Sequence, residues 1–236
     1  MSPPEASRRD GRGRAGAWGT SAAVLFGVLL RTVYLDADPD YYAWIGYITD
    51  EGRWIETARS LTLVGNPADY GFNVHFWVAP LFQLAHVPVF ALLGVSFWSS
   101  RLLSSLAGSA LLVWLAVRLR DRVPDRARFL GVALLAAQAD LVMLGRVTAP
   151  ETASMLAQTA VFVTLVLGVE DRRKIVRAAL LMIIALLVKA TAFPLIVAFT
   201  LVVIALPRTG RAAGSTRRRL GDGAVFAGVV AVRAVE

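Results

Sequence analysis

The chain has 236 residues, 56% of them hydrophobic and only 18% charged, with a mean hydropathy of +0.59, a balance that excludes an ordinary soluble domain and points to a helical membrane protein. In hydrocarbon every backbone amide needs an internal partner, so spans are helices or closed barrels, and the unalternating Leu, Val and Ala runs exclude barrel strands. The net charge of +8 comes from Arg and Lys in short runs between apolar segments, which orient spans and leave no basic surface for nucleic acid; with no cysteine, disulfides and thiolate metal sites are excluded.

The expected fold is therefore all-α, a polytopic transmembrane helical bundle with an outer first loop carrying amphipathic surface helices. Residues 1–17 are rich in Arg, Gly, Ser and Pro and read as a disordered, basic, cytoplasmic leader. The first span follows at 18–35. It is too long for the apolar core of a signal peptide, and no small-residue cleavage site precedes the acidic stretch after it. With the leader inside, 36–73 lies outside. There Ile48, Glu51, Trp54, Ile55, Ala58 and Leu61 recur at helical spacing, giving an amphipathic helix along the membrane surface. Thr49 or Asp50 can cap its start, and Gly65-Asn66-Pro67 ends it. Glu51 falls on the apolar stripe, a costly place for an acid unless something pairs with it.

Two apolar segments come next, 76–93 and 97–117. If both crossed, the basic run from Arg118 to Arg128 would lie outside, against the positive-inside rule, so one of them should cross. The first holds His75 at its edge, then Pro80, Gln83, His86 and Pro88, which suits a re-entrant or surface helix; the second is the cleaner span. The outer loop thus extends over 36–96. Beyond it, 129–145 runs outward, 146–151 is an outer loop, 152–169 returns, and 170–174 is cytoplasmic. A tight pair of short spans, 175–188 and 192–206, surrounds Lys189. These complete a core of six spans over 18–206, followed by a basic cytoplasmic loop at 207–222. Residues 223–236 begin a seventh apolar run too short to cross about 30 Å of hydrocarbon, so the chain reads as cut short.

This topology places Arg31, Arg101, Arg146 and Lys189 at the outer ends of their helices, opposite to the loop bias. Beside Asp50, Glu51 and Glu151 they form a pocket suited to an anionic ligand at the outer leaflet, with acids left over for chemistry. The plainer alternative is that these cations snorkel to headgroups and pair locally with the acids. Asp140 adds an intramembrane charge below Arg146. Tyr41, Tyr42, Trp44, Trp98 and Trp114 read as interfacial anchors, and Ser104, Ser105, Gly108 and Ser109 as a small-residue face for close helix packing.

The residues of this outer end also carry a resemblance. Asp50-Glu51-Gly52-Arg53-Trp54 with Ala58-Arg59 opens the series. Pro80-Leu81, then Leu93-Gly94-Val95-Ser96 leading to Ser100-Arg101-Leu102, continue it. Leu144-Gly145-Arg146 with Pro150-Glu151, and finally Lys189, complete it. In this order, over 18–206, the chain resembles the C-type membrane glycosyltransferases, specifically the dolichyl-phosphate-mannose protein mannosyltransferase-like group that includes bacterial aminoarabinose and lipopolysaccharide-core sugar transferases.

The resemblance implies inverting transfer of a sugar from a polyprenyl-phosphate donor to a hydroxyl of a protein, lipid or glycan acceptor. The site would face the outside of a bacterial-type plasma membrane, in the cell envelope. Asp50 would deprotonate the acceptor, Glu51 would support it or bind a metal, and Glu151 would be the second-loop acid. Arg101 and Arg146, with Lys189 and Arg53, would hold the donor phosphate or position the acids. A carboxylate base opposite a cation-stabilised leaving phosphate is sound chemistry for such a transfer.

The chain departs from relatives that carry Glu-Lys-Pro-Pro-Leu before the second loop helix. Here Trp77-Val78-Ala79-Pro80-Leu81 stands, without that lysine and glutamate. A divalent metal is a candidate cofactor, with His75 and Glu51 as candidate ligands and His86 as a substitute. Two other readings stay open: a truncated, non-catalytic family member, and a transporter or channel subunit, which calls for ionisable residues near the bilayer midplane and paired broken helices.

Overall fold

The structure is a computed structural model describing residues 5–37, 51–67, 74–166 and 172–205, with side chains described for 16–37, 51–67, 74–165 and 173–200. Every regular element among these residues is helical. Helix α1 (Glu5–Thr32) reaches back into the stretch expected to be disordered. Once the apolar part has nucleated a helix, each further residue adds a hydrogen bond without a new nucleus.

Helix α2 (Glu51–Val64) is the amphipathic loop helix, closed by Gly65 at φ 71°, a left-handed position that favours glycine. Its expected capping residues, Thr49 and Asp50, lie outside the described residues. Helices α3 (Val74–Val78) and α4 (Pro80–Leu93) divide at Ala79, whose φ of −143° and ψ of 57° leave the helical region. The ring of Pro80 disfavours helical geometry in the residue before it, and that is where the helix breaks.

Helix α5 (Phe97–Arg118) starts on a capping box in which Ser96 and Ser99 exchange side-chain and backbone bonds of 3.1 and 3.0 Å. Its 22 residues make it the one described helix long and apolar enough to cross a membrane. Helix α4, with 14 residues, is shorter than that.

The single helix expected over 129–145 is instead two, α6 (Asp125–Ala137) and α7 (Ala139–Leu144), divided at Gln138, where ψ is 117°. The break frees carbonyls at the end of α6, and Arg31 takes two of them. Helices α8 (Glu151–Val166) and α9 (Arg172–Val188) follow, then a 3-10 turn (Ala190–Ala192) and α10 (Pro194–Ala205). At 12 to 17 residues, α8, α9 and α10 fall short of the roughly 20 residues that a perpendicular crossing needs.

Helix α5 is the hub: α1, α4, α6, α7 and α8 all pack on it, while α1 lies along α6, α8 along α9 and α2 along α4. Its buried face is polar in the first half (Ser99, Ser100, Arg101, Ser104, Ser105) and apolar in the second (Leu111, Leu112, Leu115). The outward faces are apolar instead, with Leu25, Phe26 and Leu29 of α1, Leu130 and Leu134 of α6, and Leu180 and Ile183 of α9 all exposed.

Candidate functional site

Direction alternates along the chain, so the C-terminal ends of α1, α7 and α9 meet the N-terminal ends of α5 and α8, with the start of α2 laid across them. The described candidate residues gather there. Arg101, 1% exposed, donates from Nε to Glu51 Oε2 and from Nη2 to Glu51 Oε1, both at 3.0 Å. This fork-to-fork geometry is the strongest that a guanidinium and a carboxylate form. The backbone amide of Thr148 adds a third bond to Glu51 Oε2 at 2.9 Å. The acid on the apolar stripe of α2 therefore has its partner. Removing one member of such a buried pair costs about 3–5 kcal/mol, because the other charge is left behind.

The remaining Arg101 donor, Nη1, reaches the Leu35 carbonyl at 2.8 Å. Arg146 serves the same chain end, donating to the carbonyls of Leu30, Val33 and Tyr34 at 2.6, 2.9 and 3.0 Å. Tyr34 has φ 54°, a left-handed conformation that a bulky residue keeps only when its surroundings hold it. These carbonyls are where a helix end is electron-rich and unsatisfied, and two guanidinium groups satisfy them.

On the other side of the cluster Lys189 pairs with Glu151 Oε1 and lies 5.4 Å from the ring centroid of Trp54, which stands edge-on to His75 at 4.9 Å. The second oxygen of Glu151, Oε2, is buried and has no hydrogen-bond partner among the described residues. One acid, Glu51, is thus immobilised by three bonds, and the other keeps an oxygen for a donor. Trp54 follows Glu51 by three residues in α2 and so links the two halves.

Of the other candidates, Arg53 is on the exposed side of α2, and Asp50 lies outside the described residues. Asp140 is exposed in the first turn of α7, where a negative charge complements the helix dipole. Among the described residues no group of three or more His, Asp or Glu comes together to hold a metal. His86 is fully buried with Nδ1 2.8 Å from the Phe82 carbonyl and Nε2 2.9 Å from the Ser100 carbonyl, so both ring nitrogens are engaged within the fold. Burial pushes its imidazole below the ordinary value of 6.5, and the two carbonyls pull weakly the other way.

Sequence reasoning missed Thr148, which bonds Glu51 through its amide and Ser100 Oγ through its hydroxyl at 3.0 Å. A backbone amide leaves no compositional signal. It also read Ser104 and Ser105 as packing residues only. Ser104 Oγ donates to the Ala149 carbonyl at 2.8 Å and accepts from its amide at 3.1 Å, and Ser105 Oγ donates to the Arg31 carbonyl at 2.7 Å. Both lock segment 147–150 and the end of α1 onto α5.

A family model described as dolichyl-phosphate-mannose-protein mannosyltransferase matches residues 77–232. The matched stretch contains Arg101, Arg146, Glu151 and Lys189 and begins after Asp50 and Glu51. No curated protein and no solved structure matches the chain.

Proposed function

Because this chain belongs to the dolichyl-phosphate-mannose-protein mannosyltransferase family, whose members are membrane glycosyltransferases drawing in general on polyprenyl-phosphate-linked sugars, we propose that it performs an inverting transfer to an acceptor hydroxyl at the outer face of a bacterial-type plasma membrane. The observation that carries the site assignment is the clamp on Glu51, three bonds that hold the start of α2 against α5 and segment 147–150. Asp50 acts as general base toward the acceptor hydroxyl. Glu51 acts through position, since its oxygens are already bonded.

Glu151 offers Oε2 to a substrate hydroxyl while Lys189 holds Oε1. Lys189 at the cluster and Arg53 on the exposed side of α2 are the cations assigned to the donor phosphate, with Arg101 and Arg146 behind them, where a phosphate must compete with Glu51 and backbone carbonyls. Cations fixed in advance stabilise charge as it develops on the departing phosphate. The apolar outward faces of α1, α6 and α9 support the reading of a polytopic bundle embedded in lipid, because such faces are unfavourable in water.

The test is transfer of a labelled sugar from polyprenyl phosphate in membranes carrying the wild-type chain or Asp50→Asn. We expect the variant to lose about 10²–10⁴-fold in rate, the usual contribution of a positioned base. Equal transfer by both would remove Asp50 from the mechanism. No transfer by the wild type would favour a non-catalytic family member.

A further inference from the structure

With Arg101, Arg31 is the largest fully buried side chain among the described residues, 2% exposed, and no ion pair among them accounts for it. Its Nη1 donates to the carbonyls of Gly27 and Ala136 at 2.9 and 3.2 Å, and Nη2 to that of Leu135 at 3.1 Å. Leu135 and Ala136 sit in the last turn of α6, just before the break at Gln138. A continuing helix would satisfy those carbonyls itself. Here a side chain from α1 does so across the helix interface.

The route of that side chain is built into its neighbours. A Cβ on Gly108 of α5 would meet Arg31 Cδ at 3.2 Å and Nε at 3.3 Å, and a Cβ on Gly145, just after α7, would meet Arg31 Cγ at 3.2 Å. Neither glycine is in the left-handed region, so conformation does not require them; space for the arginine does. Arg31 therefore touches both sides of the α6–α7 break, the carbonyls before it and the residue that closes α7. Three residues past Gly145 is Thr148, whose amide grips Glu51.

We propose that Arg31 is a positioning residue for the transfer site. Threaded between Gly108 and Gly145 and bonded to the last turn of α6, it fixes the broken helix and with it segment 147–150, which holds Glu51. The proposal rests on the glycosyltransferase reading for its catalytic consequence but not for its structural one, and the experiment separates the two.

The chain is compared as wild type, Arg31→Met, Arg31→Lys, Gly108→Ala and the double variant Gly108→Ala with Arg31→Met. Hydrogen exchange of peptides covering 146–152 is read alongside sugar transfer. In Arg31→Met the amides of Thr148 and Ala149 should exchange about tenfold faster, with peptides from the α8–α9 contact unchanged. Transfer should fall roughly ten- to a hundredfold in kcat at nearly constant KM, as expected for misplacement of catalytic groups rather than lost binding. Arg31→Lys, which keeps a donor in the passage, should recover part of both effects. Gly108→Ala should speed exchange in the wild-type background and lose that effect once Arg31 is methionine, because nothing is left to displace.

Unchanged exchange in Arg31→Met, or an equal effect of Gly108→Ala with and without Arg31, would overturn the proposal. If Arg31→Met does not fold, the single Gly108→Ala and Arg31→Lys variants decide it by the same exchange measurement. Absence of transfer in the wild type would count against the enzyme reading alone, since exchange reports on position without turnover.

Discussion

Arg31, Arg101 and Arg146 all direct guanidinium groups at backbone carbonyls near helix ends, and Arg101 also holds the Glu51 carboxylate. An arginine suits this work because its donors are rigid, several and always charged. Histidine at position 86 is different, because its ring can change state. The fold holds its pKa below 6.5, so between those two values the unfolded chain binds more protons than the folded one. Stability from this residue is present above pH 6.5 and is lost as the pH falls below it. Thermal unfolding in detergent should accordingly shift down between pH 7 and pH 5 in the wild type and shift less in His86→Gln. An identical pH dependence in the two proteins would show that His86 is not the group responsible.

At the scale of elements, α1 packs tightly where it crosses α5 and α6. A Cβ on Gly27 would come within 2.5 Å of Leu112 Cδ1, 2.8 Å of Ala136 Cβ and 3.2 Å of Ala136 Cα. The last is backbone and cannot swing aside, so the helices themselves would have to part. Gly27→Ala should therefore destabilise the protein by about 1–3 kcal/mol through overpacking, although alanine favours helix over glycine. A thermal shift of the detergent-solubilised variant measures it, and a gain in stability would mean that the crossing is looser than this. The end of α2 was legible beforehand, since Gly65 closes it as expected, whereas the segment 76–93, read as one re-entrant or surface helix, is divided at Ala79 before Pro80. The break at Gln138 was not legible, because no proline or glycine marks it. It depends on Arg31, more than a hundred residues earlier in the chain, taking the carbonyls that the break exposes.

At the scale of the molecule, the charge pattern makes a prediction about sidedness. The chain has no cysteine, so single cysteines can be placed cleanly. A cysteine at Asp36 should react with an impermeant maleimide added to intact cells, and one at Arg122 only after the membrane is opened. The reverse pattern would put the cluster on the cytoplasmic side and sink the outer-face reading.

The sequence by itself determined the helical class and the amphipathic helix of α2, because hydropathy and helical periodicity act over a few residues at a time. It also showed that Glu51, lying on an apolar stripe, must have a partner. Only the tertiary structure decided which partner. Arg101 is 50 residues away and the Thr148 amide 97, and no local pattern links them. It also decided that three of the arginines, Arg31, Arg101 and Arg146, hold the scaffold, because the carbonyls of helix ends that accept their bonds are brought to them only once the helices have packed.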